Sequence, residues 1–312
     1  MKKLKEILYK VAIEGISGST EVAVSDISFD SRKVNKGTMY VAIKGTQHDG
    51  HQYIEQAVAS GAQSVLCKIL PQQRSAGVVY IQVEDSKEAL GWVAANYFDN
   101  PSRELTLIGI TGTNGKTSIA SMLYELFRTS PSPSGLISTV AIQYGDLYYP
   151  ATHTTPDPVS INQHLSAMVN LGIENCFMEV SSHGIHQRRI SGLEFDGAVF
   201  TNLTHDHLDY HKTFKAYRDT KKILFDSLSK SAFALVNADD KNGKFMLQNC
   251  KGKTHTYALH TLADFSAQIM ENQFKGMLLK IDQKEVWTQL VGEFNAYNLL
   301  AVFSVAQLLG KD

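Results

Sequence analysis

Two hydrophobic rhythms follow one another along the chain. In the first hundred residues the apolar runs are short. Met39–Ile43, Ser64–Cys67 and Val78–Val83 read as strands. Tyr53–Ala62, with Ile54, Ala57 and Val58 at helical spacing, and Lys87–Tyr97, with Leu90, Val93, Ala94 and Tyr97 on one face, read as helices. The cluster Asp99-Asn100-Pro101-Ser102 ends that pattern and predicts a boundary. Beyond it the strands become continuous apolar runs: Leu105–Thr111, Cys176–Val180, Ala198–Leu203 and Phe233–Val236. Helices are predicted between them at Thr117–Phe127 (Ile119, Met122, Leu123, Leu126 and Phe127 inward), Val159–Leu171 and Phe214–Leu228. Strands buried on both faces and alternating with helices predict a mainly parallel α/β sheet. Residues 254–290 read as short strands, antiparallel in part, with Met277–Ile281 the clearest, and Asn295–Leu309 as a last helix. The expected organisation is a small N-terminal α/β domain over 1–103 and a larger one of P-loop type over 104–312.

Composition narrows the function classes. The chain has 312 residues, 43% of them hydrophobic and 20% charged, with a formal net charge of -1. That is a globular balance with no general basic field for nucleic acid. Cys67, Cys176 and Cys250 are odd in number and far apart, which points to reduced thiols in a cytoplasmic protein. The start is basic, but Glu6, Lys10 and Glu14 interrupt any apolar run, so no secretory signal is read there. No run of about 18 apolar residues is present for a membrane span. A monomer is expected.

The sharpest chemical signal is Gly109-Ile110-Thr111-Gly112-Thr113-Asn114-Gly115-Lys116-Thr117-Ser118, set between a predicted strand and a predicted helix. Such glycines let backbone N–H groups converge on phosphate oxygens. A lysine then reaches the outer phosphates and a threonine hydroxyl can ligate Mg²⁺. The usual pattern has glycine where Ile110 stands. Glu179, at the end of a predicted strand, and the segment Asp206-His207-Leu208-Asp209 after another are candidates for holding divalent metal. His-x-His could also mark zinc, and either aspartate could be a turn residue or helix cap. By pattern alone the doublet Lys221-Lys222 is a solvated face.

Taken together, T-G-T-N-G-K-T, T-T-P, E-V-S-S-H-G, T-N-L-x-x-D-H-L-D-Y-H and G-x-F-N-x-x-N, in that order, resemble the Mur ligase family from about residue 20 onwards. The nearest type within it acts on UDP-N-acetylmuramoyl-L-alanyl-D-glutamate. The resemblance implies a cytoplasmic, ATP-dependent ligase of peptidoglycan synthesis. It would add meso-diaminopimelate or L-lysine through an acyl phosphate. Gly112, Thr113, Asn114, Gly115, Lys116, Thr117 and Ser118 would hold ATP, with Asn295 and Asn298 near the adenine. Two Mg²⁺ ions are implied, one on Thr117 and one on Glu179 and His207. Lys221 falls on the lysine that such enzymes carbamoylate; with Lys116, Glu179 and His207 it completes the implied catalytic set. Thr154, Thr155, Ser181, Gln187 and Arg189 match contacts to the muramoyl peptide, and Ser31, Thr46 and Gln47 match contacts to UDP. The family's C-terminal amino-acid-binding domain is expected to be absent, so that this chain alone would not ligate. A sibling ligase, a folylpolyglutamate synthase and a non-catalytic nucleotide-binding module stay open as alternatives.

Overall fold

The structure is a computed structural model that describes residues 1–45, 48–128, 132–204, 206 and 208–311. The chain divides into two compact units. Met1–Ser102, Asp157–Ala167 and Gln187–Leu193 form the first, and the remainder forms the second. The change-over at 102/103 falls on the predicted turn, but a single cut does not capture the two later pieces that join the first unit.

The first unit is built on five strands: β1 (Ile13–Ser17), β2 (Asp26–Ser28), β3 (Thr38–Val41), β4 (Ser64–Cys67) and β5 (Val79–Val83). Their order is β1-β5-β4-β3-β2, parallel except for β1. Helix α1 (Ile54–Ala59) and helix α2 (Ser86–Tyr97) cover it, and α2 starts where the Asp85 carboxylate accepts from the N–H groups of Lys87 and Glu88. Every residue of β3 and β4 is buried, which explains their unbroken apolar runs.

Eleven strands order the second unit. They are β6 (Thr106–Thr111), β7 (Ser134–Ile137), β8 (Ala141–Tyr144), β9 (Leu147–Pro150), β10 (Asn175–Glu179), β11 (Gly197–Phe200), β12 (Phe233–Asn237), β13 (Lys253–Ala258), β14 (Phe265–Gln273), β15 (Gly276–Ile281) and β16 (Lys284–Thr288). The order is β9-β8-β7-β10-β6-β11-β12-β13-β14-β15-β16. From β7 to β14 neighbours run parallel; antiparallel hairpins close both ends. The hairpin β8–β9 was not foreseen, although Gly145-Asp146 between two short β-prone runs is a turn signal.

Among the helices are α3 (Lys116–Arg128), α4 (Pro158–Asn170, mostly within the first unit), α5 (Ser182–His186), α6 (Phe214–Asp226) and α7 (Glu293–Leu308). Ile119, Leu123 and Phe127 of α3 and Leu300 and Val305 of α7 pack with Ile108, Ile110, Phe177, Val199 and Leu235 from the central strands. Burial of a side chain such as Phe127 is worth about 1.5–3 kcal/mol. Leu126, expected inward, is exposed, and Tyr124 takes its place. The stripe 119, 120, 123, 124, 127 follows the helical period, and 126 lies off it. The strand predicted over 198–203 ends at Phe200; Thr201 and Asn202 turn aside to bond the loop described below, and Leu203 N donates to Asp240. Among the described residues no helix is long and apolar enough to cross a membrane. Burial pushes the Cys67 thiol up to about 11, in keeping with an unreactive core cysteine.

Candidate functional site

The C-terminal ends of β6, β10 and β11 lie side by side, and the chain leaves them towards opposite edges of the sheet. That topology leaves a crevice beyond the strand ends. Residues 112–115 fill it. Gly115 has φ 88°, where an L side chain is strained, and a Cβ there would stand 2.5 Å from Asn298 Oδ1. At Gly112 a Cβ would meet Thr201 Oγ1 at 1.9 Å. The loop is tied to the chain after β11. Thr113 N donates to Asn202 O (2.8 Å), Asn114 N to Asn202 Oδ1 (3.0 Å) and Thr201 Oγ1 to Asn114 O (2.6 Å). Helix α3 follows, with its first N–H groups directed at the loop.

Two lysines meet on this loop. Lys116 Nζ donates to the carbonyls of Gly112 (3.0 Å) and Thr113 (2.8 Å), and Lys221 Nζ also donates to Gly112 O (2.9 Å). Thr213 caps α6 by accepting from Ala216 N, and the buried stripe Tyr217, Thr220, Lys221, Leu224, Phe225 carries Lys221 inward at 1% exposure. Its neighbour Lys222 pairs instead with Asp226 and Gln248 O. The helical period thus separates a doublet that pattern alone reads as solvated. Burial, and then the Lys116 charge, push the Lys221 ammonium well below its ordinary range, with Asp206 opposing. Burial also lowers Lys116, against Glu179 and Asp206.

Opposite them stands Glu179, the last residue of β10 and fully buried. It accepts from Thr117 Oγ1 (3.0 Å), Thr139 N (2.7 Å) and Thr139 Oγ1 (3.2 Å). Thr117 and Glu179, expected on separate ions, are therefore adjacent. An anionic oxygen beside a hydroxyl is the donor chemistry that suits Mg²⁺. Among the described residues no group of three or more His, Cys, Asp or Glu side chains is arranged to hold a metal ion. His207, expected on a metal, lies outside them, as do Thr46 and Gln47.

Next to Glu179, Thr155 Oγ1 is 3.0 Å from Glu179 O and 3.1 Å from Ser181 Oγ, and it accepts from Ser181 N (2.9 Å). Thr154 Oγ1 lies 3.1 Å from Thr139 Oγ1. On the other side a cleft of about 590 Å³ is lined by Asn114, Gly115, Ser118, Asn202, Tyr297 and Asn298, among others. Asn298 faces it. Asn295, expected to share that role, does not line it and gives its amide to Val291 O (2.9 Å). Asp239 was missed. Its carboxylate, at the cleft wall, accepts from the N–H groups of Leu259, His260 and Thr261 and from the Tyr297 hydroxyl (2.8 Å). Burial works to raise it, but the hydrogen bonds from Thr261, Tyr297, His260 and Leu259 win and take it to about 2. The run Asn237-Ala238-Asp239-Asp240 after a strand was the available signal.

In the first unit Ser31 is buried in a turn capped by Asp30, and its hydroxyl donates to Gln56 Oε1 (3.3 Å). The fork from Arg32 holds the Asp30 carboxyl below its ordinary range. Gln187 Oε1 accepts from Arg189 Nε (3.1 Å) and Nη2 (2.7 Å); both belong to the first unit.

Comparison with known proteins adds the relatives. A profile described as "Mur ligase middle domain" matches residues 110–306, and one described as "Mur ligase family, catalytic domain" matches 23–98. The UDP-N-acetylmuramoyl-L-alanyl-D-glutamate–2,6-diaminopimelate ligase of Cytophaga hutchinsonii is 50% identical over 311 residues, covering 99% of this chain and 64% of its own. The protein of the same name from Caldanaerobacter subterraneus is 38% identical over 312 residues, with the same coverage. A solved structure of a protein of that name superposes with a TM-score of 0.84 at 28% identity, over 100% of this chain and 64% of the other. The chain thus spans 64% of the length of the curated relatives it matches.

Proposed function

From the premise that the chain belongs to the Mur ligase family, we propose that it binds ATP and UDP-N-acetylmuramoyl-L-alanyl-D-glutamate for the ATP-dependent addition of an amino acid in peptidoglycan synthesis. Diaminopimelate is the proposed amine, because the relatives bear that name. The observation that carries this reading is the facing pair of charges: Lys116 and Lys221 on Gly112 O, and Glu179 on Thr117, at one glycine loop.

A carboxylate is a poor acyl donor to an amine. Transfer of the terminal phosphoryl group of ATP converts it to an acyl phosphate, and the amine then expels phosphate. The chain's part in this is positioning and charge. The loop amides and Lys116 would hold the phosphates, and the cleft beside Asn298 would take the nucleoside. Thr117 and Glu179 would hold one Mg²⁺, and His207 with a modified Lys221 a second. Bound Mg²⁺ would neutralise charge between the phosphates. Thr154, Thr155 and Ser181, beside Glu179, would meet the peptide end of the precursor. Gln187 and Arg189 are also proposed contacts to it, Arg189 offering its guanidinium to a carboxylate. Ser31, Thr46 and Gln47 would contact UDP. Carbamoylation of Lys221 fits its surroundings. Two ammonium groups on one carbonyl repel each other, so the buried Lys221 ammonium readily gives up one proton; the neutral amine then adds CO₂ with loss of a second proton, and a cation is replaced by an anion. A cytoplasmic location goes with these substrates.

Calorimetric titration with the UDP-linked dipeptide, and separately with a folate, tests the reading. Binding of the dipeptide and not of the folate is expected. The reverse result would overturn it.

A further inference from the structure

Glu179 is the only buried acidic side chain among the described residues, and two of its three side-chain hydrogen bonds come from one residue, Thr139. Thr139 is exposed, yet its backbone is fixed. It sits in the turn between β7 and β8, where the buried Ser138 hydroxyl donates to Ala141 O (2.9 Å) and accepts from Val140 N and Ala141 N. The Thr139 N–H therefore reaches Glu179 Oε1 as a fixed bond. Its hydroxyl is different. It has a single hydrogen and two acceptors in reach, Glu179 Oε2 at 3.2 Å and Thr154 Oγ1 at 3.1 Å. Both are longer than the usual O–H···O bond, so neither captures the hydrogen outright.

We infer that Thr139 is a positioning residue that couples cation binding at Glu179 to precursor binding at Thr154. This rests on the functional reading above. Without a cation, the Thr139 hydrogen goes to the carboxylate, and the Thr154 hydroxyl donates back to Thr139 Oγ1. A cation held by Thr117 Oγ1 and Glu179 Oε2 turns the Thr117 hydrogen away from the carboxylate, draws electron density from Oε2 and repels the Thr139 hydrogen. The Thr139 hydroxyl then turns to Thr154 Oγ1, and the Thr154 hydrogen is released towards the crevice, where an oxygen of the bound precursor can accept it. Each ligand thereby strengthens the other by the same factor, as linkage requires.

The test is calorimetric titration of UDP-N-acetylmuramoyl-L-alanyl-D-glutamate with and without saturating Mg²⁺, on the wild type, Thr139→Val and Thr139→Ser. UDP alone, which has the diphosphate but no peptide, corrects for Mg²⁺ acting at that group. After this correction, Mg²⁺ is expected to tighten the wild type about fivefold, within the usual span of coupling between sites. Thr139→Val keeps the backbone N–H and the shape but removes the oxygen that holds the Thr154 hydrogen, so the enhancement should vanish because the Mg²⁺-free affinity rises to about the wild-type level with Mg²⁺. Thr139→Ser should restore it. A structural role alone would weaken binding equally with and without Mg²⁺. An undiminished enhancement in Thr139→Val, or none in the wild type, overturns the coupling while leaving the functional reading standing. Failure of the wild type to bind the dipeptide at all overturns that reading, and the coupling with it.

Discussion

The loop at the end of β6 and the cleft beside it are neighbours, yet they are made in different ways. The loop is one run of six residues, 112–117, whose function rests on backbone shape: two glycines at close approach, converging N–H groups, a lysine and a threonine in fixed register. The cleft is assembled from residues spread between Asn114 and Asn298, and its shape rests on side-chain bonds, above all those of Asp239 to the segment after β13 and to Tyr297 on α7. A backbone device fails when a single atom is added. A side-chain device weakens by degrees.

Gly112→Val should give the largest effect. The new Cβ would lie 1.9 Å from Thr201 Oγ1, and the loop would have to leave the β11 chain that holds it. Strain of this kind costs on the order of 3 kcal/mol. A thermal melt and a nucleotide titration should show a destabilised protein with no measurable nucleotide binding. A variant that binds normally would break the distinction between the two regions.

Lys221→Met separates stability from chemistry. Lys221 is a base whose folded value is lowered, so folding favours loss of its proton at pH between that value and 10.5. Its burial penalises the wild type most at low pH, and stability recovers as pH rises from that lowered value towards 10.5. Methionine fits the space without a charge. In bicarbonate-free buffer at neutral pH the variant should unfold at higher denaturant, by on the order of 1 kcal/mol, and lack that pH dependence. Its ATP-dependent chemistry should be lost. Lower stability would show that the bond to Gly112 O outweighs the burial.

Asp239→Asn should act more mildly. The wild-type carboxyl is depressed to about 2 from an ordinary 3.8, so its contribution is complete above the ordinary value and is lost as pH falls through about 2. The variant should lack this acid-sensitive component in melts taken across that window. At neutral pH its nucleotide affinity should fall by about tenfold or less, the size of one or two hydrogen bonds. Loss as complete as in Gly112→Val would erase the contrast between loop and cleft.

The same contrast explains what could be read from the sequence. The turn of the glycine loop, the place of Glu179 at a strand end and the buried parallel strands were legible because each is a local pattern: glycines with Lys-Thr, a carboxylate closing an apolar run, runs buried on both faces. Lys221 was not separable from Lys222 by pattern; the stripe from Tyr217 to Phe225 decides it, and that stripe needs the helix packed. Asp239 and Thr139 were missed because their roles arise only when residues 20 to 58 positions away fold against them. Leu126 was misplaced by counting apolar residues without their phase. The pieces 157–167 and 187–193 join the first unit through contacts that no single boundary in the sequence marks.

The central claim is that the loop 112–117 carries the phosphates of ATP. It is tested most directly by titrating ATP with Mg²⁺ into the wild type and Lys116→Ala while following the fold by circular dichroism. The account predicts stoichiometric binding to the wild type and an affinity lower by about 10²-fold in the variant, the scale of removing a charged donor from a desolvated anion site, with an unchanged spectrum. Equal affinities for the two proteins would contradict it.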